Sequence, residues 1–493
     1  MSNSADIPIL AKTYADNASI ARLNEAWREF LAGISRGRDG IDQALKAKPP
    51  LPPVDIPPDI STDRNLVDGY RYVLGHVARV IEEVVQQDGN FPYFNRQMTL
   101  LNKWTGDNAD QIYLNAVINA DDYYRIDGKA ENIANWRYGG SAGIGSKAPK
   151  VFTITTNHQQ VGDTGSLGEF DTCRNQTLTT ITSFDLEVGA DGRFSILVGP
   201  ERPKDHAGNF MLSKARLPCR KRDGSIEHHD REATNIIARE IFDDWENEAQ
   251  MDLRIVNLSH QGRNRRPQSV DEMADALRTI GEKVANQVLF WSTLQHVALE
   301  VNDDFNGDGR RALPVNGSNP PEPPFVAGDS AAAKNMTAGG LFELMTTDGR
   351  PDPDRALILK VTYKPGFEPH YHGFHLYDYR MASLDYANAV SSRNGFQAHR
   401  SSDGRIYYVV AHREPGIQNW LDTTGLPRGS MVQRFNYPEE PAVEDRPTIE
   451  VIEVCFDDIG KHLPADTPRY TAEQRRAEIS LRQAHVQRRM RQY

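Results

Sequence analysis

The sequence predicts a mainly β protein with helical insertions, of the α+β class. Three observations predict it: strand-like alternation with Asp-Gly turns in two separate regions, helical periodicity outside those regions, and an internal repeat. The 493 residues allow two to four domains, at about 100–200 residues per domain. The predicted segments are a helical arm and Pro-rich linker at 1–60, a helical region at 61–110, a first β-domain at 111–229, a helical connection and loop at 230–330, a second β-domain at 331–460 and a C-terminal helix at 461–493.

Helices are predicted first. A polar helix over 11–45 is followed by the proline-rich stretch 48–60, which we interpret as a linker because proline fixes φ and removes a hydrogen-bond donor. Beyond it, apolar residues recur at three- and four-residue steps, as on one helix face, and Gly89 provides a stop signal. These residues are Leu66, Tyr70, Val73, Val77, Val80 and Val84.

The pattern changes to that of strands at about residue 111, and helical periodicity returns between 230 and 300. There Ile236, Ile237, Ile241 and Trp245 fit one helical stripe. Ser269 and Glu272 form a capping box for a second helix, and Thr471 with Gln474 opens a helix in the arginine-rich tail. Helices are therefore predicted between the two β-regions and at both ends.

An internal repeat links the two β-regions. The stretches DGRFSILVGPERP (191–203) and DGRIYYVVAHREP (403–415) share Asp-Gly-Arg, an apolar strand, a charged pair and proline. Both continue to Asn-aromatic-apolar, at Asn209 and Asn419, and then to Leu-Pro. Duplication of one unit explains so many matching offsets; the alternative is that Asp-Gly hairpins resemble one another.

With the strands around 107–129, the helix-like AREIFDDWENE and the repeat, the chain resembles bacterial proteins that carry the domain of unknown function twelve-fourteen. The resemblance covers roughly 110–460 and implies that each repeated unit is a β-sandwich of jelly-roll type. The full prediction is thus two tandem jelly-roll-like β-sandwiches joined by helices. The resemblance implies no particular reaction, and the histidine-rich second unit and helical extensions depart from it.

Composition excludes several classes. The net charge of −11, with the excess acid spread through the chain, argues against a nucleic-acid partner, because phosphate binding needs clustered Lys and Arg. Cys173, Cys219 and Cys455 lie far apart, so neither a disulfide framework nor a cysteine zinc site is expected. No apolar stretch approaches the roughly 20 residues of a membrane span, and no signal peptide is apparent. A cytoplasmic protein with no membrane partner is predicted.

The densest imidazole group is a candidate metal site. His370 and His372 share one side of a predicted strand, and His375 joins them if Gly373 hosts a bulge. Neutral imidazoles are common ligands of divalent transition metals. The alternative is a strand in which the tyrosines pack and the histidines form local hydrogen bonds.

A second polar group is a candidate catalytic site. His412 would be the general base, oriented by Asp422 or Glu414, and Arg413 would bind an anionic group. The alternative is that the charged pair caps a strand. Aromatic residues of the second β-domain would line a substrate pocket. They are Tyr371, Tyr377, Tyr379, Tyr407, Tyr408 and Trp420.

Other motifs are weaker. Asp304, Asn306 and Asp308 match the first half of a calcium loop, but Val315 stands where its bidentate acid is expected. The glycine-rich stretch 139–147 lacks the Walker pattern, and serine-elbow, zincin and dinucleotide motifs are missing from the sequence.

The functional prediction is a catabolic enzyme, a lyase or hydrolase, that uses acid–base or metal-assisted chemistry on a hydrophobic or aromatic small molecule. The alternative is a non-catalytic carbohydrate- or ligand-binding β-sandwich protein. A homo-oligomer is also predicted, because terminal helical arms outside both β-domains have few partners within the chain, and a basic tail suits another subunit's acidic surface.

Overall fold

The computed structural model describes residues 15–46, 62–136, 147–221, 224–295, 313–323 and 335–490. It contains the helices α1 (Asn17–Lys46), α2 (Asp63–Ile81), α3 (Val270–Gln295) and α4 (Ala472–Arg489). A single π-helical turn, Glu82–Gln86, continues α2. The candidate calcium residues Asp304, Asn306 and Asp308 lie outside the described residues, as does most of 139–147.

The first half of the chain forms two sheets around one apolar core. Its strands are β1 (Asn95–Arg96), β2 (Gln111–Val117), β3 (Tyr124–Lys129), β4 (Val151–Asn157), β5 (Thr177–Thr182), β6 (Arg193–Gly199), β7 (Asn209–Leu212), β8 (Lys214–Arg220), β9 (Ile226–Glu232), β10 (Asn235–Ile241) and β11 (Asp252–Asn257). One sheet has the order β1-β2-β10-β4-β5 and the other β11-β3-β6-β7. Residues of both, such as Ile154 and Ile196, share a buried core, while β8 and β9 form a separate two-stranded ribbon.

The second half also has two sheets around one core. Its strands are β12 (Asn335–Glu343), β13 (Arg355–Thr362), β14 (Tyr371–Tyr377), β15 (Ser392–Asn394), β16 (Ile406–Ala411), β17 (Trp420–Asp422), β18 (Arg428–Asn436) and β19 (Thr448–Cys455). The sheet orders are β12-β18-β14-β15 and β17-β16-β13-β19. Phe374 of one sheet and Leu359 of the other belong to the same core. The β-rich α+β prediction is confirmed.

The repeat has the same backbone geometry in both halves. Gly192 and Gly404 have φ of 76° and 81°, which glycine adopts at little steric cost. The following strands β6 and β16 pair antiparallel with β3 and β13, and parallel with β7 and β17. The matching sequences therefore specify matching hairpins.

The helical prediction for 230–260 is wrong. Residues 235–241 form β10, which pairs with β2 on one side and β4 on the other. A strand in the middle of a sheet carries apolar residues on both faces, so Ile236, Ile237 and Ile241 matched a helical spacing. With β11, the first sheet pair extends to residue 257, beyond the expected boundary at 229. Both capping boxes are confirmed, at Ser269 with Glu272 and at Thr471 with Gln474.

The expectation about cysteines is also wrong, because Cys173 and Cys219 form a disulfide. It ties the ribbon strand β8 to the loop before β5, and Cys455 is free and exposed. The distance between these two cysteines in the sequence gave no indication that they form a disulfide. Disulfides are rare in cytosolic proteins, so this bond weighs against the cytoplasmic prediction.

The terminal helices have extensive partners within the chain, contrary to the premise of the oligomer prediction. Helix α1 packs along α3, and Gly33 meets Gly281 so closely that a Cβ on Gly33 would lie 2.3 Å from the Gly281 backbone. In α4, Arg475, Arg482 and Arg489 are buried against the chain itself. A membrane span needs about 20 apolar residues in one helix, and the helices of the described ranges contain no such stretch.

We expect Gly33→Val to destabilise the protein by at least about 2 kcal/mol, because overpacking a backbone contact forces the helices apart. Urea unfolding followed by circular dichroism measures this. The matched control is Gly40→Ala on the same helix, where the new Cβ would lie 4.0 Å from its nearest neighbour. That variant should gain up to about 1 kcal/mol from helix propensity. Equal effects of the two variants on stability would contradict the close packing of α1 on α3 at Gly33.

We expect one reactive thiol per denatured chain before reduction, from Cys455, and three after reduction, since Cys173 and Cys219 are joined. Alkylation and mass spectrometry count them. Cys173→Ser with Cys219→Ser should cost about 2–4 kcal/mol of stability, whereas Cys455→Ser should change little. Three thiols without reductant would contradict the disulfide.

Candidate functional site

Strand β14 separates the residues of the candidate metal group onto two faces. His372 points into the second core, where its ring stacks on Phe435 at 4.6 Å between centroids. His375, one residue out of register, points away from that core towards the first half of the chain. The two imidazoles therefore lie on opposite sides of one sheet.

Two of the three histidines, His370 and His372, have hydrogen-bond partners within the protein. Tyr363 Oη lies 2.5 Å from His372 Nδ1, and His372 Nε2 lies 3.2 Å from Gln433 Oε1. His370 Nε2 lies 3.1 Å from the carbonyl oxygen of Lys150. Among the residues that the structure describes, no three His, Cys, Asp or Glu side chains converge as a metal site requires.

His375 belongs instead to a polar network centred on Asp110, and both side chains are fully buried. Asp110 Oδ2 accepts a hydrogen bond of 2.7 Å from Tyr371 and lies 3.3 Å from His375 Nε2. Its Oδ1 accepts hydrogen bonds from Trp245 Nε1 at 2.8 Å and Asn394 Nδ2 at 3.1 Å. The network therefore joins the two halves of the molecule.

The network sets the charge of its members. Burial by itself raises the pKa of Asp110, but hydrogen bonds and charge from His375, together with Tyr371, outweigh burial and hold that pKa below its usual value. Burial lowers the pKa of His375 in spite of Asp110. At neutral pH the pair is a carboxylate beside a neutral imidazole. It links the two halves structurally, and neither residue lines the cleft beside α2.

The residues of the candidate catalytic group make contacts that support the fold. His412 Nε2 lies 2.6 Å from the carbonyl oxygen of Leu344, and Nδ1 lies 2.5 Å from Thr423 Oγ1. Arg413 stacks on Phe456 at 4.0 Å and bonds the Pro353 carbonyl. Both nitrogens of His412 are thus engaged within the protein.

Asp422 does not orient that histidine: its Oδ1 accepts the backbone N–H of Thr424 at 2.7 Å, and burial raises its pKa. The expected substrate-binding aromatics mostly pack inside the protein. Tyr371, Tyr377, Tyr379, Tyr408 and Trp420 are buried. Tyr407 is half-buried and donates to Asp403 at 2.7 Å.

A cleft of about 450 Å³ lies where α2 meets the loop after β14. Its walls come from three stretches of chain, namely α2, residues 100–103 and residues 378–388. Asp107 holds the third stretch in place, since it accepts hydrogen bonds from the backbone N–H and hydroxyl of Ser383 at 2.8 and 2.6 Å. The volume is in the range typical of small-molecule sites.

Asp378 and Tyr72 form the buried polar wall of this cleft. Asp378 Oδ1 accepts the backbone N–H groups of Arg380 and Ala382 at 2.8 and 2.9 Å. Burial raises the pKa of Asp378 to about 6, against the opposing effect of Arg380. The buried Tyr72 hydroxyl has no hydrogen-bond partner in the described structure, and burial, then Asp378, raise its pKa.

Three cationic side chains also line the cleft, and one of them, Arg64, is paired with Asp68. Lys103 Nζ donates to the carbonyl oxygens of Ser383 and Leu384 at 2.9 and 3.0 Å, and burial lowers its pKa. Arg71 is exposed and makes no ion pair with any described residue. The cleft therefore offers one uncommitted cation and one carboxyl that titrates near neutral pH.

Sequence reasoning missed Asp378, Tyr72, Lys103 and Arg71. Asp378 stands within the histidine-rich stretch 368–380 that drew attention, but no motif surrounds it. Tyr72 and Arg71 are part of an ordinary amphipathic helix. Their chemistry arises from burial and from approach of distant segments, which single-sequence patterns do not encode.

Comparison with known proteins identifies a shared fold. No family model and no curated protein matches the chain. A solved structure of an uncharacterised protein from Burkholderia cenocepacia is similar, with 19% identity, a TM-score of 0.65 and coverage of 90% of this chain and 100% of that one. A protein from Vibrio parahaemolyticus aligns over 78% of this chain and 98% of its own, with 11% identity and a TM-score of 0.38. The first match shows a common fold, and the second carries no weight.

We expect stability to fall as the pH drops below about 6.5, the usual histidine pKa in an unfolded chain. Burial lowers the pKa of His372 and of His485 to about 3, and also lowers those of His76 and His375. At each of these four sites the unfolded state therefore binds more protons, which contributes up to about 1.4 kcal/mol per pH unit. Burial raises the pKa of Asp378 to about 6 and that of Glu240 to about 7, and these two groups offset part of the fall.

Urea unfolding between pH 7 and pH 4 measures the slope. His485→Gln, which can still donate to the Trp245 carbonyl that His485 Nδ1 contacts, should make it shallower. The exposed His228 provides the control, since His228→Gln should leave the slope unchanged. A slope that His485→Gln leaves unchanged would contradict a neutral buried His485.

Proposed function

We propose that the protein is a small-molecule enzyme, a lyase or hydrolase, that carries out acid–base chemistry in the cleft beside α2. The proposal rests on one observation: the buried carboxyl of Asp378 is part of the wall of a cavity of ligand size and has a pKa of about 6. Carboxyls with so perturbed a pKa in a cleft are candidates for proton transfer at neutral pH.

The surroundings of Asp378 suit that role. The two backbone hydrogen bonds engage Oδ1 and hold the carboxyl in one orientation, which leaves Oδ2 for a substrate proton. The unpaired hydroxyl of Tyr72 can hydrogen-bond a polar substrate atom on the same wall. At pH above about 6, Asp378 would act as the base.

The lining indicates the substrate class. Val67, Leu101 and Leu384 provide apolar surface, and Arg71 provides a cation without a partner in the described structure. We infer a substrate with an apolar or aromatic body and one anionic group, such as an aromatic carboxylate. Guanidinium groups bind carboxylates in a bidentate fashion.

Other predictions from the sequence remain proposals. Metal assistance would need ligands from His370, His372 and His375. The nitrogens of His370 and His372 contact other groups of the protein, and His375 lies in the network around Asp110. The jelly-roll type of both sheet pairs and their tandem arrangement are supported by the shared hairpin geometry of β6 and β16. Membership in the family of domain twelve-fourteen, a homo-oligomeric state and a cytoplasmic location stay predictions.

We expect a panel of aromatic and aliphatic carboxylates, benzoate and phenylacetate among them, to include compounds that raise the melting temperature and are converted, as followed by proton NMR. Asp378→Asn keeps an oxygen for the backbone bonds, and should lower kcat about 10²–10⁴-fold. Arg71→Ala should raise KM. Activity of the native protein should rise with pH through about 6, as Asp378 loses its proton.

Arg254→Ala, at an exposed arginine outside the cleft, is the control for loss of surface charge. Binding without conversion would favour the alternative, a non-catalytic ligand-binding protein, over an enzyme. A panel with no ligand, or activity unaffected by Asp378→Asn, would overturn the assignment to this cleft.

A further inference from the structure

The hairpins of the two halves are anchored in the same way. In the first half, Asn209 accepts the backbone N–H of Glu187 and donates to its carbonyl, both at 2.9 Å. In the second, Asn419 makes the same pair of bonds with His399, at 2.8 and 2.7 Å. Glu187 and His399 are therefore equivalent positions, and the outer faces of sheets β11-β3-β6-β7 and β17-β16-β13-β19 can be compared residue by residue.

In the second half, the chain's own residues 456–470 cover this outer face. Val409 of β16 is fully buried there, in a cluster with Ile417 and Ile459. The covering segment also makes backbone hydrogen bonds, since Gln418 N–H donates to the Pro468 carbonyl at 3.3 Å and Tyr470 N–H to the Gly416 carbonyl at 2.9 Å. An extended segment thus lies along residues 416–418.

The same covering segment also contributes a carboxylate, that of Asp466. Asp466 Oδ2 accepts the backbone N–H of Ser402 at 2.6 Å, and lies 4.0 Å from His399 Nε2. Residues 464–467 form a turn, in which Thr467 N–H donates to the Pro464 carbonyl at 3.1 Å, and residues 468–470 are extended. The second half therefore holds this segment by backbone pairing, an apolar contact and one acidic side chain.

In the first half, the equivalent face is an open groove of about 600 Å³. Leu197, the counterpart of Val409, lines it, and so does Leu258, which is 40% exposed. Ala207 and Gly208, the counterparts of Ile417 and Gln418, form one rim. The part of the chain that the structure describes places no segment over this groove.

The groove favours an acidic occupant. Arg125 and Arg193 line it with side chains 44% and 69% exposed, together with His206, against one acidic residue, Glu187. Their ion pairs, with Asp127 and Asp191, are solvent-exposed, and such pairs contribute little to stability. A peptide carboxylate can therefore compete for the guanidinium groups.

We propose that this groove binds an acidic peptide segment of another protein chain, in the way that the second half binds residues 459–470. The extended part of the segment lies along Ala207 and Gly208, and an apolar side chain covers Leu197 and Leu258, as Ile459 covers Val409. Glu187 stands where His399 faces Asp466, so the carboxylate of the segment is directed to Arg193 and Arg125 instead. Backbone pairing with the Gly208 N–H provides affinity, since the His206 carbonyl already accepts from Arg202 at 3.4 Å, and the arginines provide selectivity for acidic sequences. This surface lies outside the cleft and is independent of the proposed enzymatic function.

Fluorescence anisotropy with the full chain tests the proposal. One fluorescein-labelled probe is the dodecapeptide IGKHLPADTPRY, the sequence of residues 459–470; the other has glutamate in place of its arginine. We expect both to bind, the acidic probe about fivefold more tightly. Arg193→Glu should weaken binding of the acidic probe at least tenfold, and Arg125→Glu should also weaken it.

Arg405→Glu is the matched control, at the counterpart of Arg193 in the already covered second half, and should leave binding unchanged. Melting temperatures verify that each variant is folded. If Arg193→Glu is unfolded, Arg125→Glu provides the test. Failure of both probes to bind at millimolar concentration would overturn the proposal. So would binding that falls with Arg405→Glu but not with Arg193→Glu or Arg125→Glu, since the probe would then have displaced the chain's own segment.

Discussion

The fully buried carboxylate of Asp110 is the interaction on which the arrangement of the two halves depends. It lies just before β2, and its four neighbours come from β14, β15 and the segment after β10. A buried charge is tolerated only when it is fully hydrogen-bonded, and loss of one partner typically costs about 3–5 kcal/mol. The two sheet pairs are consequently held in one relative position by a polar contact that permits little adjustment.

That position creates the cleft. The loop after β14 is bound to the first half through Asp107 and Ser383, and to residues 100–103 through Lys103. Asp378 is buried because α2 covers this loop, and burial raises its pKa. The chemistry proposed for the cleft is thus a consequence of how the halves meet, and neither half contains it alone.

The sequence predicted the elements whose signals are local. Thr471 and Gln474 mark the start of α4, and the Asp-Gly turns mark both repeated hairpins, because capping and left-handed glycines act over a few residues. It failed where tertiary context decides. Ile236 and Ile237 look helical until β2 and β4 flank them, Cys173 and Cys219 meet only through the fold, and the histidines of 370–375 looked like ligands until the two faces of β14 separated them.

Helix α4 closes the molecule from outside the sheets. Arg489 donates to the carbonyl of Ala109, and Arg482 donates to that of Ser392, on either side of the Asp110 network. During synthesis on the ribosome, residue 110 emerges several hundred positions before these arginines are translated. The nascent chain therefore lacks both donors for most of its elongation, and the Ala109 carbonyl gains its arginine partner only after residue 489 has left the exit tunnel.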